Sequence, residues 1–289
     1  MEAFSWTSRE LVLRGYVSGP EAGPPLILLH GFLDTATGFH AVMTKLDSIW
    51  RTYAPDHRGH GLSDAIGAGG YYHFPDYLLD LDGLYRHLGI DQAILVGHSM
   101  GASIACYFAG SFPERVRAMV LIDGIGPPKG ILADKVPEST RRWISDVRRR
   151  ESHNSKGAES LEALARSIGR LSSKASPERL LELARGASFK DEQGRYQWRF
   201  DPLHRTHAPI PFDPIRFRAY LERIACPVLA LWAEQSPMHA PDEEARLAAL
   251  GDVEVHTIPD SGHNIHHEHP EAVAEAIKSF LEARGLTSF

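Results

Sequence analysis

Five residues, Gly97-His98-Ser99-Met100-Gly101, constrain this chain more than any other stretch, because of what stands on either side of them. Before them, Ala93-Ile94-Leu95-Val96 is a short apolar run of the kind that forms a buried strand. After them, Ala102-Ser103-Ile104-Ala105-Cys106-Tyr107-Phe108-Ala109 has the small residues of a helix packed closely on a sheet. Only Ser99 is left to turn the corner. In the pattern G-x-S-x-G the serine occupies a strained strand-to-helix turn that lifts its hydroxyl above the sheet. The first N–H groups of the helix then point at whatever that hydroxyl attacks. Glycines on both sides leave out side chains that would collide in so sharp a turn. Ser99 is therefore the candidate nucleophile.

The segments upstream supply a sheet for this turn to stand on. Leu11-Val12-Leu13-Arg14-Gly15-Tyr16-Val17 reads as a strand, and the Gly- and Pro-rich residues 19–25 read as a turn. Leu26-Ile27-Leu28-Leu29 is wholly apolar, as an interior strand of a mostly parallel sheet should be, and ends in His30-Gly31-Phe32-Leu33-Asp34. A backbone N–H just beyond a central strand can face the nucleophile, so Phe32 and Met100 are the candidate oxyanion donors. Residues 35–46 can form a short helix, residues 49–54 another strand, and Tyr77, Leu81, Leu84 and Leu88 recur at the spacing of an amphipathic helix.

Between these lies Pro55-Asp56-His57-Arg58-Gly59-His60-Gly61-Leu62-Ser63-Asp64. Asp56, His57 and His60 are close together, but Arg58 sets a fixed positive charge among them and no further ligand has matching spacing. A hydrogen-bonded loop that braces the site is expected there, not a metal centre.

Charge separates a middle segment from the rest. Residues 127–212 carry 17 Lys and Arg against 11 Asp and Glu, whereas the whole chain of 289 residues has a formal charge of −6. Such asymmetry marks an insertion. Arg141-Arg142-Trp143 and Arg148-Arg149-Arg150 fall in a helical stretch, and Leu161, Leu164, Ala165, Ile168 and Leu171, then Leu180, Leu181, Leu183 and Ala184, form apolar faces. The expectation is a helical cap over residues 127–212, with residues 1–126 and 213–289 as the core domain. Acidic residues interleave with the arginines, so a solvated face is expected rather than a nucleic-acid surface. Cys106 and Cys226 form no disulfide framework or metal site, and no run approaches the length of a membrane span. With no signal-peptide pattern at Met1-Glu2-Ala3-Phe4-Ser5-Trp6, a cytoplasmic protein without membrane partners is expected.

Taken together, His30-Gly31-Phe32, residues 55–63, Gly97-His98-Ser99-Met100-Gly101, Phe112-Pro113-Glu114-Arg115-Val116 and Ser261-Gly262-His263 resemble the α/β-hydrolase superfamily, in the order that family uses. Ile122-Asp123-Gly124-Ile125-Gly126-Pro127-Pro128, with Trp198-Arg199-Phe200-Asp201-Pro202, is similar to its serine-hydrolase-like branch. The resemblance implies a mostly parallel eight-stranded sheet flanked by helices, with the cap inserted after strand 6. It also implies a triad in the chain order serine, acid, histidine. Its histidine is expected in the loop after the strand Val253-Glu254-Val255-His256-Thr257-Ile258, where His263 follows a glycine. His266, His267 and His269 crowd the same stretch and read as solvated or helix-start residues, His266 and His267 also as possible pocket lining. The acid departs from the common pattern, because Ser236 stands where many relatives have an aspartate. Asp123, at the end of the strand Val116-Arg117-Ala118-Met119-Val120-Leu121-Ile122, is the favoured acid, and Glu234 the alternative.

These roles describe a serine esterase. Ser99 attacks a carbonyl, His263 accepts its proton, the acid orients the imidazole, and water cleaves the acyl-enzyme. The expected substrate is a small to medium, largely apolar carboxylic ester or thioester, with Phe32, Met100, Trp143 and Met238 as pocket candidates. A serine at position 99 excludes chemistries that need a carboxylate nucleophile there. A carbon–carbon bond hydrolase and a cofactor-free perhydrolase use the same triad. A non-catalytic ligand-binding member of the fold would account for the missing aspartate at Ser236. The expectation includes no cofactor, no metal, a small-molecule substrate as partner, and a monomer or homodimer.

Overall fold

Fully apolar runs form the middle of the molecule and alternating ones its edges. A computed structural model describes residues 1–128, 135–151 and 157–288. In chain order its strands are β1 (Glu2–Ser8), β2 (Leu11–Ser18), β3 (Pro25–Leu29), β4 (Arg51–Pro55), β5 (Ala93–His98), β6 (Val116–Ile122), β7 (Ser188–Lys190), β8 (Tyr196–Trp198), β9 (Val228–Ala233) and β10 (Val253–Ile258). Eight of them form one sheet in the order β1-β2-β4-β3-β5-β6-β9-β10, while β7 and β8 pair separately. Pairing is antiparallel at β1–β2 and β2–β4 and parallel from β4 to β10.

The period of two along each central strand builds two cores. Ile27, Leu29, Leu95, Met119, Leu121, Val228, Ala230 and Trp232 face one side, and Leu26, Leu28, Ile94, Val96, Ala118, Val120, Ile122, Leu229 and Leu231 the other. Every residue of β3, β5 and β9 is buried, because helices cover both faces. Helices α1 (His40–Leu46), α2 (Phe74–Leu88) and α3 (Met100–Ser111) follow β3, β4 and β5. The small residues of α3 allow it to lie directly on the sheet.

Between β6 and β9 the chain leaves the sheet for α4 (Val136–Glu151), α5 (Leu161–Gly169), α6 (Pro177–Gly186) and the β7–β8 hairpin, and returns through α7 (Pro214–Leu221). Of the expected cap, residues 129–134 and 152–156 lie outside the described residues. Leu164 and Ala165 of α5 pack on Ala184 of α6 as expected, but α5 ends at Gly169, so Leu171 lies beyond the helix and is exposed. After β9 come α8 (Glu243–Ala248), α9 (Ile265–Glu268) and α10 (Pro270–Ala283). Cys106 and Cys226 are buried free thiols, and no helix among the described residues is long and apolar enough to cross a membrane.

Candidate active site

The carboxyl ends of β3, β5, β6 and β9 meet at one rim, and the chain reverses there most sharply at Ser99. Strand β5 extends through His98, two residues beyond the apolar run, and Ser99 then adopts φ 52° and ψ −109° before α3 begins. This conformation costs a non-glycine residue on the order of 1–3 kcal/mol, and the surroundings impose it. A Cβ on Gly101 would lie 2.0 Å from the Leu29 carbonyl oxygen, and one on Gly97 would lie 2.5 Å from the Ala102 nitrogen. The turn can close only because both positions lack one.

Ser99 Oγ lies 3.1 Å from His263 Nε2, and His263 Nδ1 lies 2.6 Å from Asp123 Oδ2. The carboxylate can only accept, so Nδ1 carries the proton and Nε2 is free to accept from the serine hydroxyl. Asp123 is fully buried, follows β6 directly and has a positive φ of 46°. Its other oxygen accepts the Ala233 N–H at 2.9 Å, while Ser236 Oγ donates to Oδ2 at 2.7 Å. Ser236 is thus not a loss at the end of β9. It donates to the same oxygen that receives the imidazole N–H, and its own oxygen accepts the Met238 N–H at 3.0 Å. Glu234, the alternative acid, is exposed and accepts the Asp260 N–H at 2.8 Å instead of meeting His263.

The loop after β3 faces the same hydroxyl. A Cβ on Gly31 would sit 3.4 Å from Ser99 Cβ and 2.6 Å from His98 Nδ1. Among the described residues neither the Phe32 N–H nor the Met100 N–H has a hydrogen-bond partner in the fold, which leaves both for a ligand. The Phe32 side chain is half exposed. Trp143 lies edge-on to Tyr71, just before α2 of the core, with ring centres 5.5 Å apart, so its ring contact joins the inserted segment to the core and is not with the triad. Met238 is half-buried beside Ser236.

Around this centre the histidines are buried rather than solvated. His98 donates its Nε2–H to the His263 carbonyl at 2.9 Å, and burial pushes its pKa well below the usual imidazole value. His266 and His267, expected as solvated or helix-start residues, do stand at the start of α9, but they are buried, and Asp34 reaches both of them. Letter identity alone gave no sign of this. The aspartate lies more than 230 positions away in sequence, so neither periodicity nor a local motif connects them. The loop after β4 braces the rim as expected. Asp56 accepts the N–H groups of Ala36 at 2.7 Å and Leu62 at 2.9 Å, and Arg58 forms a two-pronged pair with Asp80 at 2.6 and 2.7 Å.

A mostly parallel sheet with a serine on a strand-to-helix turn, facing an imidazole held by a buried carboxylate, defines a hydrolase class. The family model for the alpha/beta hydrolase fold matches residues 24–270, and the chain belongs to that family. It is 39% identical over 114 residues to a serine hydrolase-like protein of Danio rerio, covering 39% of this chain and 35% of that one. It is 41% identical over 102 residues to a 2-(acetamidomethylene)succinate hydrolase of Mesorhizobium japonicum, covering 35% of this chain and 36% of that protein. The chain thus spans about a third of the length of these curated relatives. The crystal structure of a hypothetical protein from Pseudomonas aeruginosa PAO1 superposes with a TM-score of 0.89 at 30% identity, covering 98% of this chain and 100% of that one.

Proposed function

We propose that this protein is a serine hydrolase that cleaves a small to medium, largely apolar carboxylic ester or thioester through an acyl-enzyme on Ser99. One observation carries the reading: the serine, imidazole and carboxylate form a continuous chain of contacts, 3.1 Å and 2.6 Å, at a turn whose backbone is strained to present the serine. His263 Nε2 takes the Ser99 proton as Oγ attacks the carbonyl carbon, and Asp123 holds the imidazole tautomer and offsets the charge that develops on it. The N–H groups of Phe32 and Met100 receive the oxyanion, where loss of one such donor typically costs about 10²–10³ in turnover. The proton passes from His263 to the departing alcohol or thiol. Water, deprotonated by the same imidazole, then releases the acid and restores the serine.

Residues 127–212 act in this reading as the cap of a core formed by residues 1–126 and 213–289. Hydrogen bonds between the segments support that role: Arg179 of α6 donates to the Gly38 carbonyl at 2.8 Å, and the Lys174 N–H donates to Glu268 at 3.2 Å. The side chains of Phe32 and Met100 favour an apolar acyl or alcohol part. A fluorophosphonate probe and a series of p-nitrophenyl esters test the proposal. Labelling of the unaltered chain and ester turnover, both absent in Ser99→Ala, are expected. A chain that does not label, or a Ser99→Ala variant that turns over esters unchanged, overturns it. The non-catalytic alternative drew its motive from Ser236, and the contact between Asp123 and His263 weighs against it.

A further inference from the structure

Asp34, His266 and His267 form a cluster that the hydrolytic reaction does not use. Asp34 Oδ2 lies 3.2 Å from His266 Nε2 and 3.0 Å from His267 Nε2, and the three atoms all lie within 4.8 Å of one another. Both rings are buried and the carboxylate nearly so. Two ring nitrogens converging on one carboxylate oxygen match the donor set of a tetrahedral transition-metal ion, whose ligands at roughly 2.0–2.1 Å lie about 3.3 Å from one another. We propose that Asp34, His266 and His267 bind one divalent cation of the zinc type, at a site whose ligands are separate from Ser99, Asp123 and His263.

Two features of the surroundings fit such an ion. Behind His267, Nδ1 lies 3.2 Å from Ser172 Oγ, which accepts from Asn264 Nδ2 at 3.0 Å. An outer partner of this kind fixes the tautomer and ring orientation of a metal-bound imidazole. Gly38 keeps the donors clear, since a Cβ there would sit 2.5 Å from Asp34 Oδ2 and 2.8 Å from His267 Nε2. His266 Nδ1 is buried without a partner among the described residues.

Its position connects two loops of the candidate active site. Asp34 stands two residues after Phe32, and His266 three residues after His263. The His266 ring lies 4.3 Å from that of His98, which donates to the His263 carbonyl. A bound ion therefore joins the β3 loop to the histidine loop.

The test is titration of the metal-free full chain with Co²⁺, recording the visible absorption of a four-coordinate ion, followed by competition with Zn²⁺. One equivalent should bind. Asp34→Asn, His266→Gln and His267→Gln should each lose the bands, and Ser172→Ala should lower affinity by about tenfold or more. Ser99→Ala should keep the bands whether or not the chain hydrolyses esters, which separates this proposal from the hydrolytic reading. Because a ligand variant can fail to fold, anomalous scattering from a Zn²⁺-soaked crystal of the unaltered chain supplies a second measurement, with a peak expected among the three donor atoms. Bands that survive all three ligand substitutions, no stoichiometric binding, or an anomalous peak only elsewhere overturns the proposal.

Discussion

Two groups of buried histidines stand on the same rim of the sheet, and their partners differ. His30, His57, His60 and His204 pack ring against ring, with His30–His57 and His60–His204 both 4.1 Å apart between centres. Their nitrogens meet mostly main-chain groups: His30 Nδ1 the Gly31 carbonyl, His57 Nε2 the His30 carbonyl, and His60 Nδ1 and His204 Nε2 the Arg58 carbonyl. His98, His263, His266 and His267 pack in a similar way, but three of them reach a carboxylate, His263 on Asp123 and the other two on Asp34. A carbonyl fixes a neutral ring in place. A carboxylate also stabilises the ring when it takes up positive charge, whether a proton or a metal ion. Burial and ring contacts are common to both groups, so the acidic partner distinguishes a bracing histidine from one that can do chemistry.

The largest effect expected from breaking this contrast is at its catalytic end. Asp123→Asn should leave the fold intact and lower kcat for an ester by about 10⁴-fold, because the amide favours the wrong imidazole tautomer. Steady-state kinetics against Ser99→Ala check this, and an Asp123→Asn variant within tenfold of the unaltered chain would show that Asp123 is not the acid.

The next effect is on stability and involves both groups. Burial lowers the pKa of His30, His57, His60 and His98, and brings those of His204 and His266 to about 4 and about 3. Unfolded histidines take up protons below about 6.5, whereas these stay neutral in the fold, so the unfolded state binds more protons and stability falls as pH falls below that value. Each contributes about 1 kcal/mol per pH unit until its own folded pKa is reached. Denaturant melts at pH 7.5 and 5.5 should show a marked loss at the lower pH. Equal stability at the two would mean that the rings are protonated in the fold.

A substitution in the bracing group sharpens the comparison from the other side. His57→Ala removes a buried ring and its bond to the His30 carbonyl, and should cost about 2–4 kcal/mol of stability while turnover per folded molecule stays within about threefold. Ser236→Ala has a smaller effect. It removes one donor from Asp123 Oδ2 and should lower kcat about tenfold, consistent with a hydrogen bond of roughly 1.5 kcal/mol to a charged group. Smallest of all, Glu234→Gln should change kcat by no more than about twofold, since that carboxylate is exposed and only accepts the Asp260 N–H, a surface contact of small energy.

Much of the fold could be read from particular residues. The runs at Leu26, Ala93, Ala118 and Val228 are apolar without interruption because the sheet is covered on both faces, and each lies in a strand. Strand β1 has no such mark. It is the outermost strand at one edge of the sheet, and only Trp6 and Ser8 are buried in it. The β7 and β8 strands have three residues each, too few to show a period. The serine turn was legible because glycine and strand and helix patterns are local, and His263 because the family order of motifs places it.

What the chain alone determined, then, is the alternation of strands and helices, the position of the candidate nucleophile and the loop that carries the histidine proposed to serve it, since each depends on residues within a few positions of one another. Only the tertiary structure set Asp123, already favoured over Glu234, against the His263 ring, turned Ser236 into its donor, and drew Asp34 to His266 and His267. Those contacts join residues 140, 113, 232 and 233 positions apart. At such separations no sequence period operates. Whether a polar side chain is solvated or holds a partner is settled by which strand ends meet at the rim.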